Sequence, residues 1–196
     1  MLRVGLLGFM VLGLAGCAMF DHDLTLDPDM NSLVGHSYRI VSDSFLLENY
    51  CLNDYTTTSC LYMQIAGGFI EAGKGIGNSR ISLPKSFVDY EQHKDYYNDG
   101  LKSDSLFHHT KHDIVAEIPK GTIIRITRVV SVAEGENGRG WAIYGQIASQ
   151  GSDVSIQIGS GHLRQSGPRW FHARDREYFN RPPQPLPEFL LPLDGS

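Results

Sequence analysis

Between Asp113 and Ile158 apolar residues recur at every second position through four consecutive runs, with turn residues between them. Ile114, Ala116 and Ile118 alternate with Val115 and Glu117, and Pro119-Lys120-Gly121 follows. Ile124, Ile126, Val130 and Val132 then fall on one face and Arg125, Thr127 and Ser131 on the other. After a Gly/Asn loop at 134–140, Trp141, Ile143 and Ile147 alternate with Ala142, Tyr144 and Gln146. Ser149-Gln150-Gly151-Ser152 turns the chain again, into Val154, Ile156 and Ile158 alternating with Asp153, Ser155 and Gln157. A side-chain period of two belongs to an extended chain with one covered face. The stretch 113–158 therefore reads as a continuous antiparallel meander.

Upstream, Tyr38–Val41, Leu61–Ala66 and Arg80–Leu83 read as further strands. Ser86 has the chemistry of an N-cap, with Asp89 three residues on. Phe87, Tyr90, Lys94 and Tyr97 follow at near-helical spacing and Gly100 closes the run, which predicts one amphipathic helix at 87–98. A second short helix is expected at 172–179. The tail Arg181-Pro182-Pro183-Gln184-Pro185-Leu186-Pro187 cannot be regular helix or central strand. It is expected to run extended and to pack through Phe189, Leu190 and Leu191. The fold class is thus mainly β: a small antiparallel SH3-like barrel or meander with one amphipathic helix and an extended Pro-rich tail.

The N-terminus reads as an export signal. Arg3 supplies a positive start, and Val4 to Leu14 is apolar but shorter than the roughly 20 residues a spanning helix needs. Leu14-Ala15-Gly16-Cys17 resembles the lipobox of bacterial lipoproteins. The resemblance implies a diacylglycerol on the Cys17 thiol, cleavage before it, and acylation of the new amino group. Ala18, rather than Asp, resembles the sorting pattern for the outer membrane. Residues 1–16 are then the signal and 17–32 an acidic tether, with Asp21, Asp23, Asp27 and Asp29 and no Lys or Arg. Residues 33–180 form one mostly-β domain and 181–196 the tail. Asp27-x-Asp29-x-Asn31 is not a calcium loop: Ser32 and Tyr38 stand where Gly and Glu are required.

Of 196 residues, 180 remain after a 16-residue signal, with 16 basic and 22 acidic side chains, a net charge of −6. That balance argues against a nucleic-acid partner. With Cys17 lipidated, Cys51 and Cys60 are left in an oxidising compartment, and a Cys51–Cys60 disulfide is expected to staple the polar loop between them. Such a loop gains roughly 2–3 kcal/mol in the chain-entropy model.

Ile118-Pro-Lys-Gly-Thr-Ile-Ile-Arg-Ile-Thr-Arg-Val129 is similar to the strand entry of bacterial SH3-like domains, where a Pro-x-Gly turn feeds a long strand and a Trp-containing hairpin follows. That family implies binding of peptides or cell-wall fragments, and no binding residue carries over from it.

No catalytic, cofactor or metal set is assigned. His108 and His112 would share a face on a helix and could pair on a metal, but Lys111 and the want of a third ligand favour a polar loop leading to Ile114. Ser82-Leu-Pro-Lys85 matches a serine-acylase pattern without its partner motifs, and Gly73-Lys74-Gly75-Ile76-Gly77 is not a P-loop. Arg169, Trp170, Arg174 and Arg176 are candidate partner contacts, since Arg with aromatics is favoured at interfaces. The competing reading is a solvated flank, diluted by Asp175 and Glu177, whose aromatics cap the sheet. The expected function is that of a membrane-anchored envelope lipoprotein binding a protein or cell-wall partner. A periplasmic immunity or inhibitor lipoprotein and an envelope hydrolase are the alternatives. Cys17→Ser is expected to abolish incorporation of labelled palmitate in growing cells, and label retained by the variant would refute the lipid site.

Overall fold

In a computed structural model of the chain the described residues are 22–50, 59–72, 79–100, 102–105, 108–111, 113–133, 139–147, 154–159, 166–167, 170–172 and 182–193. They form strands β1 (His22–Asp23), β2 (Ser37–Ile40), β3 (Ser44–Tyr50), β4 (Ser59–Ile65), β5 (Phe69–Ala72), β6 (Ser79–Ser82), β7 (Lys102–Ser105), β8 (His108–Lys111), β9 (Asp113–Ile118), β10 (Ile123–Ala133), β11 (Arg139–Ile147), β12 (Val154–Gly159), β13 (Ser166–Gly167), β14 (Phe171–His172), β15 (Gln184–Pro185) and β16 (Leu190–Pro192). Helices α1 (Phe87–Gln92) and α2 (Lys94–Gly100) lie between β6 and β7.

The fold is mainly β. The largest sheet runs β16-β2-β10-β11-β12-β4-β3-β9 and is open, with β1 added along β10. Its pairs are antiparallel except β12–β4, which is parallel. β10, β11 and β12 form the expected meander. β9 does not join it: β9 pairs with β3 at the other end of the strand order. The Pro119–Gly121 turn is therefore a corner between two stretches of a curled sheet rather than a hairpin. The β2-to-β3 corner clasps it, through Gly121 N–H to the Ile40 carbonyl at 2.8 Å, Ile40 N–H to the Thr122 carbonyl at 2.9 Å, and Lys120 N–H to Asp43 Oδ1 at 2.9 Å. Gly121 sits at φ +93°, where a side chain would be strained.

One core collects the concave face of the sheet: Tyr38, Ile40, Leu46, Met63, Ile118, Ile124, Ile126, Val129, Trp141, Ile143, Ile156, Ile158 and Leu190 all bury there. A β-bulge in β10 sets which residues reach it. Pairing steps from Ile126 opposite Gly145 to Arg128 opposite Tyr144, so Thr127 is an extra residue. Beyond it Val129 enters the core, and Val130 goes to the convex face with Ala142 and Tyr144. This corrects the strict alternation, which put Val130 with Ile126; a bulge resets the period-two phase. A second shift, between Leu46 and Leu47 of β3, makes Val115 the unpaired residue of β9. Ala116 and Ile118 stay with the main core, while Ile114 moves to a second core.

That second core lies on the convex side of β3 and β4, where Phe45, Leu47 and Tyr62 pack against Leu83, Phe87, Tyr90 and Tyr97. Phe45 meets Phe87 and Tyr90 edge to face at 5.5 and 5.6 Å. β3 is thus buried on both faces, so Phe45-Leu46-Leu47 has no alternation, and the sequence pattern missed the strand. Ser86 caps α1 as expected, its Oγ accepting from Asp89 N–H at 3.1 Å. The single helix expected at 87–98 is interrupted at His93 (φ −129°, ψ 29°) and continues as α2. In place of the expected helix start at 172, Phe171–His172 is a strand; residues 173–179 lie outside the described residues.

Residues 22–32 and 182–193 are more integrated than their composition suggested. Of the expected tether, 22–32 is folded: β1 pairs with β10, Asp23 bonds Arg128 at 2.8 Å, and Met30 is buried with Leu33 beside it. The carboxylates are used locally, Asp27 Oδ1 accepting from Asp29 N–H at 2.9 Å to cap the 3-10 turn Pro28–Met30. The tail is extended only at Gln184–Pro185 and Leu190–Pro192; between them it turns, the Phe189 and Leu190 amides both donating to the Leu186 carbonyl, and it belongs to the domain. β16 is the edge strand of the main sheet, Leu190 is fully buried, and Phe189 meets Trp170 at 5.9 Å.

Gly145, opposite the bulge, leaves no room for a side chain: a Cβ there would stand 2.8 Å from Ile124 Cγ1 and 3.0 Å from the Arg125 carbonyl. Gly145→Ala is expected to destabilise the fold by about 1–3 kcal/mol in urea denaturation. An unchanged midpoint would refute this packing.

Candidate functional surface

The candidate partner contacts separate on inspection. Trp170 is fully buried in the main core, and its indole N–H donates to the Met63 carbonyl at 3.2 Å. It ties the segment after β13 to β4 and is not available to a partner, which corrects that expectation. The aromatic-cap reading describes Trp170 and Phe171, both buried. Arg169, Arg174 and Arg176 lie outside the described residues, as do Cys17 and Cys51 and hence the Cys51–Cys60 pairing. Cys60 stands on β4 opposite Asn49. His108 and His109 fall on β8, in a hairpin with β7, so this part of the chain lacks the helical face that would bring His108 and His112 together; His112 is outside the described residues. Among the described residues no three His, Cys, Asp or Glu side chains stand together as a metal site.

Two exposed surfaces gather side chains capable of recognition. The first is built on α1 and α2. Asp89 is its hub: Oδ2 accepts from Lys85 N–H and from the Tyr97 hydroxyl, each at 2.8 Å, and Oδ1 lies 3.1 Å from His93 Nδ1. The Lys85 amide, the Tyr97 hydroxyl and His93 hold the Asp89 carboxyl below its ordinary 3.8. Burial, reinforced by Asp89 and Tyr96, pushes the Tyr97 phenol up to about 12. The contribution of Asp89 is present above pH 3.8 and is lost as pH falls through its lowered folded value. That of Tyr97 is present below its ordinary 10.0 and lost as pH rises through about 12, so the pair is intact across the neutral range. Tyr96 packs edge to face on Tyr97 at 5.3 Å, and Lys94 lies 5.3 Å over the Tyr90 ring. Val88 is 65% exposed and Tyr96 74% exposed, while Phe87, Tyr90 and Tyr97 face inward. Of the stripe expected from helical spacing, Phe87, Tyr90 and Tyr97 turn inward, whereas Lys94 is exposed.

The second surface is the convex face of β16, β2 and β10, where Leu191, Arg39 and Ile123 lie opposite one another in register. Farther along β10, Arg128 stands 5.4 Å over the Tyr144 ring and bonds Asp23. Hydrogen bonds from the Thr25 hydroxyl and amide, with Arg128 beside them, lower the Asp23 carboxyl.

No family model, curated protein or solved structure matches the chain. Trp170→Ala is expected to cost about 3–5 kcal/mol by urea denaturation, as a core truncation does. A change below about 1 kcal/mol would return Trp170 to the surface.

Proposed function

We propose that the chain is an envelope lipoprotein, held by lipid on Cys17, that acts as a binding module for a protein or cell-wall partner rather than as an enzyme. The anchor rests on the Leu14–Cys17 tetrapeptide and the apolar run before it. The observation that carries the binding reading is the α1–α2 surface. Exposed Tyr96 and Val88 stand on a scaffold held by the Asp89 bonds to Lys85 and Tyr97. An aromatic presented from a fixed support loses little freedom on association, and Tyr is enriched among the residues that dominate interface energies. From Phe87 to Gly100 the chain carries Asp89, Glu91, Asp95 and Asp99 against Lys94 alone, which suits a partner with a basic patch.

The partner recovered from detergent-solubilised envelope provides the test. Tyr96→Ala is expected to weaken its capture at least about fivefold, corresponding to about 1 kcal/mol or more, with the melting temperature unchanged. Full capture by Tyr96→Ala and Val88→Ala would overturn this surface. Loss of function on changing His108 and His112 together, with capture and stability intact, would favour chemistry over binding.

A further inference from the structure

The main sheet is open, so its strand order ends in two edge strands, β16 and β9. An edge strand is a template for a further strand unless its outward backbone groups are used or blocked. β16 is closed in this sense. Val41 N–H donates to the Phe189 carbonyl at 2.9 Å and Leu193 N–H to the Ser37 carbonyl at 3.0 Å. Phe189, Leu191 and Leu193 thus turn their backbone toward β2, and Leu190 and Pro192 turn theirs outward. The Leu190 N–H is taken by the Leu186 carbonyl at 2.9 Å, and Pro192 has none.

β9 is different. Ala66 N–H donates to the Asp43 carbonyl at 2.9 Å, so Asp43, Phe45 and Leu47 bond toward β4. Ser44 and Leu46 bond toward β9, where they face Ile118 and Ala116. Glu117 lies between those two, and its N–H and carbonyl point away from β3. Among the described residues no hydrogen bond reaches either group. Nearby Val115, the unpaired residue of the bulge, is 46% exposed. The Glu117 side chain stands next to Phe45 of β3, on the face that carries the second core. Its Oε1 is buried and accepts no hydrogen bond. Such an oxygen has lost water without gaining a donor, which is costly. A charge set against the covered face of an edge strand repels an apolar strand and, in a second copy, another Glu117. It does not repel a strand that brings a cation.

We propose that the outer edge of β9 takes up an extended segment of a partner protein, with a Lys or Arg side chain set opposite Glu117. The Glu117 N–H and carbonyl exchange hydrogen bonds with the added strand, and the cation supplies the donor that Oε1 lacks. Opposite charges facing each other across a strand pair stabilise it, and like charges do the reverse. The surrounding charge agrees. β3, β4 and β9 carry Glu48, Asp113 and Glu117 and no Lys or Arg. The cations that flank β9 in the chain are Lys111 at the end of β8 and Lys120 in the corner. The bulge at Val115 confines regular pairing to the part of β9 around Glu117. This edge needs neither the lipid anchor nor the α1–α2 surface.

The experiment titrates the isotope-labelled full chain, in detergent micelles, with short peptides of alternating Thr and Val that carry Lys, Glu or norleucine at the centre. With the Lys peptide the Glu117 amide resonance is expected to shift and its hydrogen exchange to slow. The affinity is expected to exceed that for the Glu and norleucine peptides by about twofold or more. Glu117→Met is expected to bind the three peptides alike and to melt no lower than the parent, since the buried oxygen without a partner is gone. Glu117→Pro removes the outward N–H, leaves the bonds of Ala116 and Ile118 to β3 in place, and is expected to abolish binding. No response at the Glu117 amide would overturn strand addition. Equal affinity for the Lys and Glu peptides, or a Lys preference that survives in Glu117→Met, would overturn the basic occupant. Shifts of the Glu117 amide with protein concentration, in the absence of peptide, would make a second copy the occupant and overturn the partner segment.

Discussion

The bulge at Thr127 is the constraint on which the rest of the architecture turns. β10 is the longest strand and pairs with β1 and β2 along one edge and β11 along the other. A bulge bends its strand and increases local twist, and here it lets one strand serve two differently oriented stretches of sheet. Ile124 and Ile126 before it and Val129 after it reach the same core. Without the extra residue every side chain beyond Ile126 would change faces, taking Val129 out of that core. Gly145 is the matching concession on β11, since the neighbouring Ile124 side chain fills the space a Cβ would occupy.

Burial on both sides sets apart the other end of the sheet. β3 and β4 give Leu46 and Met63 to the main core and Phe45, Leu47 and Tyr62 to the second. Covering that second face is the structural task of α1, and it leaves Val88 and Tyr96 facing outward. The charge distribution follows the same division, with arginines on the strands around β10 and carboxylates on the helices.

The sequence by itself determined the local features. Alternation at 123–126, 141–147 and 154–158 specifies strands because an extended chain covered on one face needs a side-chain period of two. Ser86 with Asp89 specified the start of a helix because their side chains can satisfy amides left free at that end. The Pro119–Gly121 turn was legible because Gly121 occupies a backbone region that other residues avoid. Of the candidate surface, the helix carrying Tyr96 was legible, but not which of its aromatics would be exposed.

Only the tertiary structure decided pairing and burial. β9 joins β3 instead of its chain neighbour β10, since a turn fixes where the chain reverses but not whether its two arms hydrogen-bond. The bulges at Thr127 and Val115 shift the phase of otherwise regular runs, and one extra residue in an apolar run leaves no mark in composition. β3 escaped notice because burial on both faces erases alternation. Trp170 read as a contact because Arg and aromatic residues look alike at an interface and at the rim of a core. Its placement depends on the Met63 carbonyl, 107 residues earlier in the chain, and a contact at that separation exists only once the sheet has curled around it.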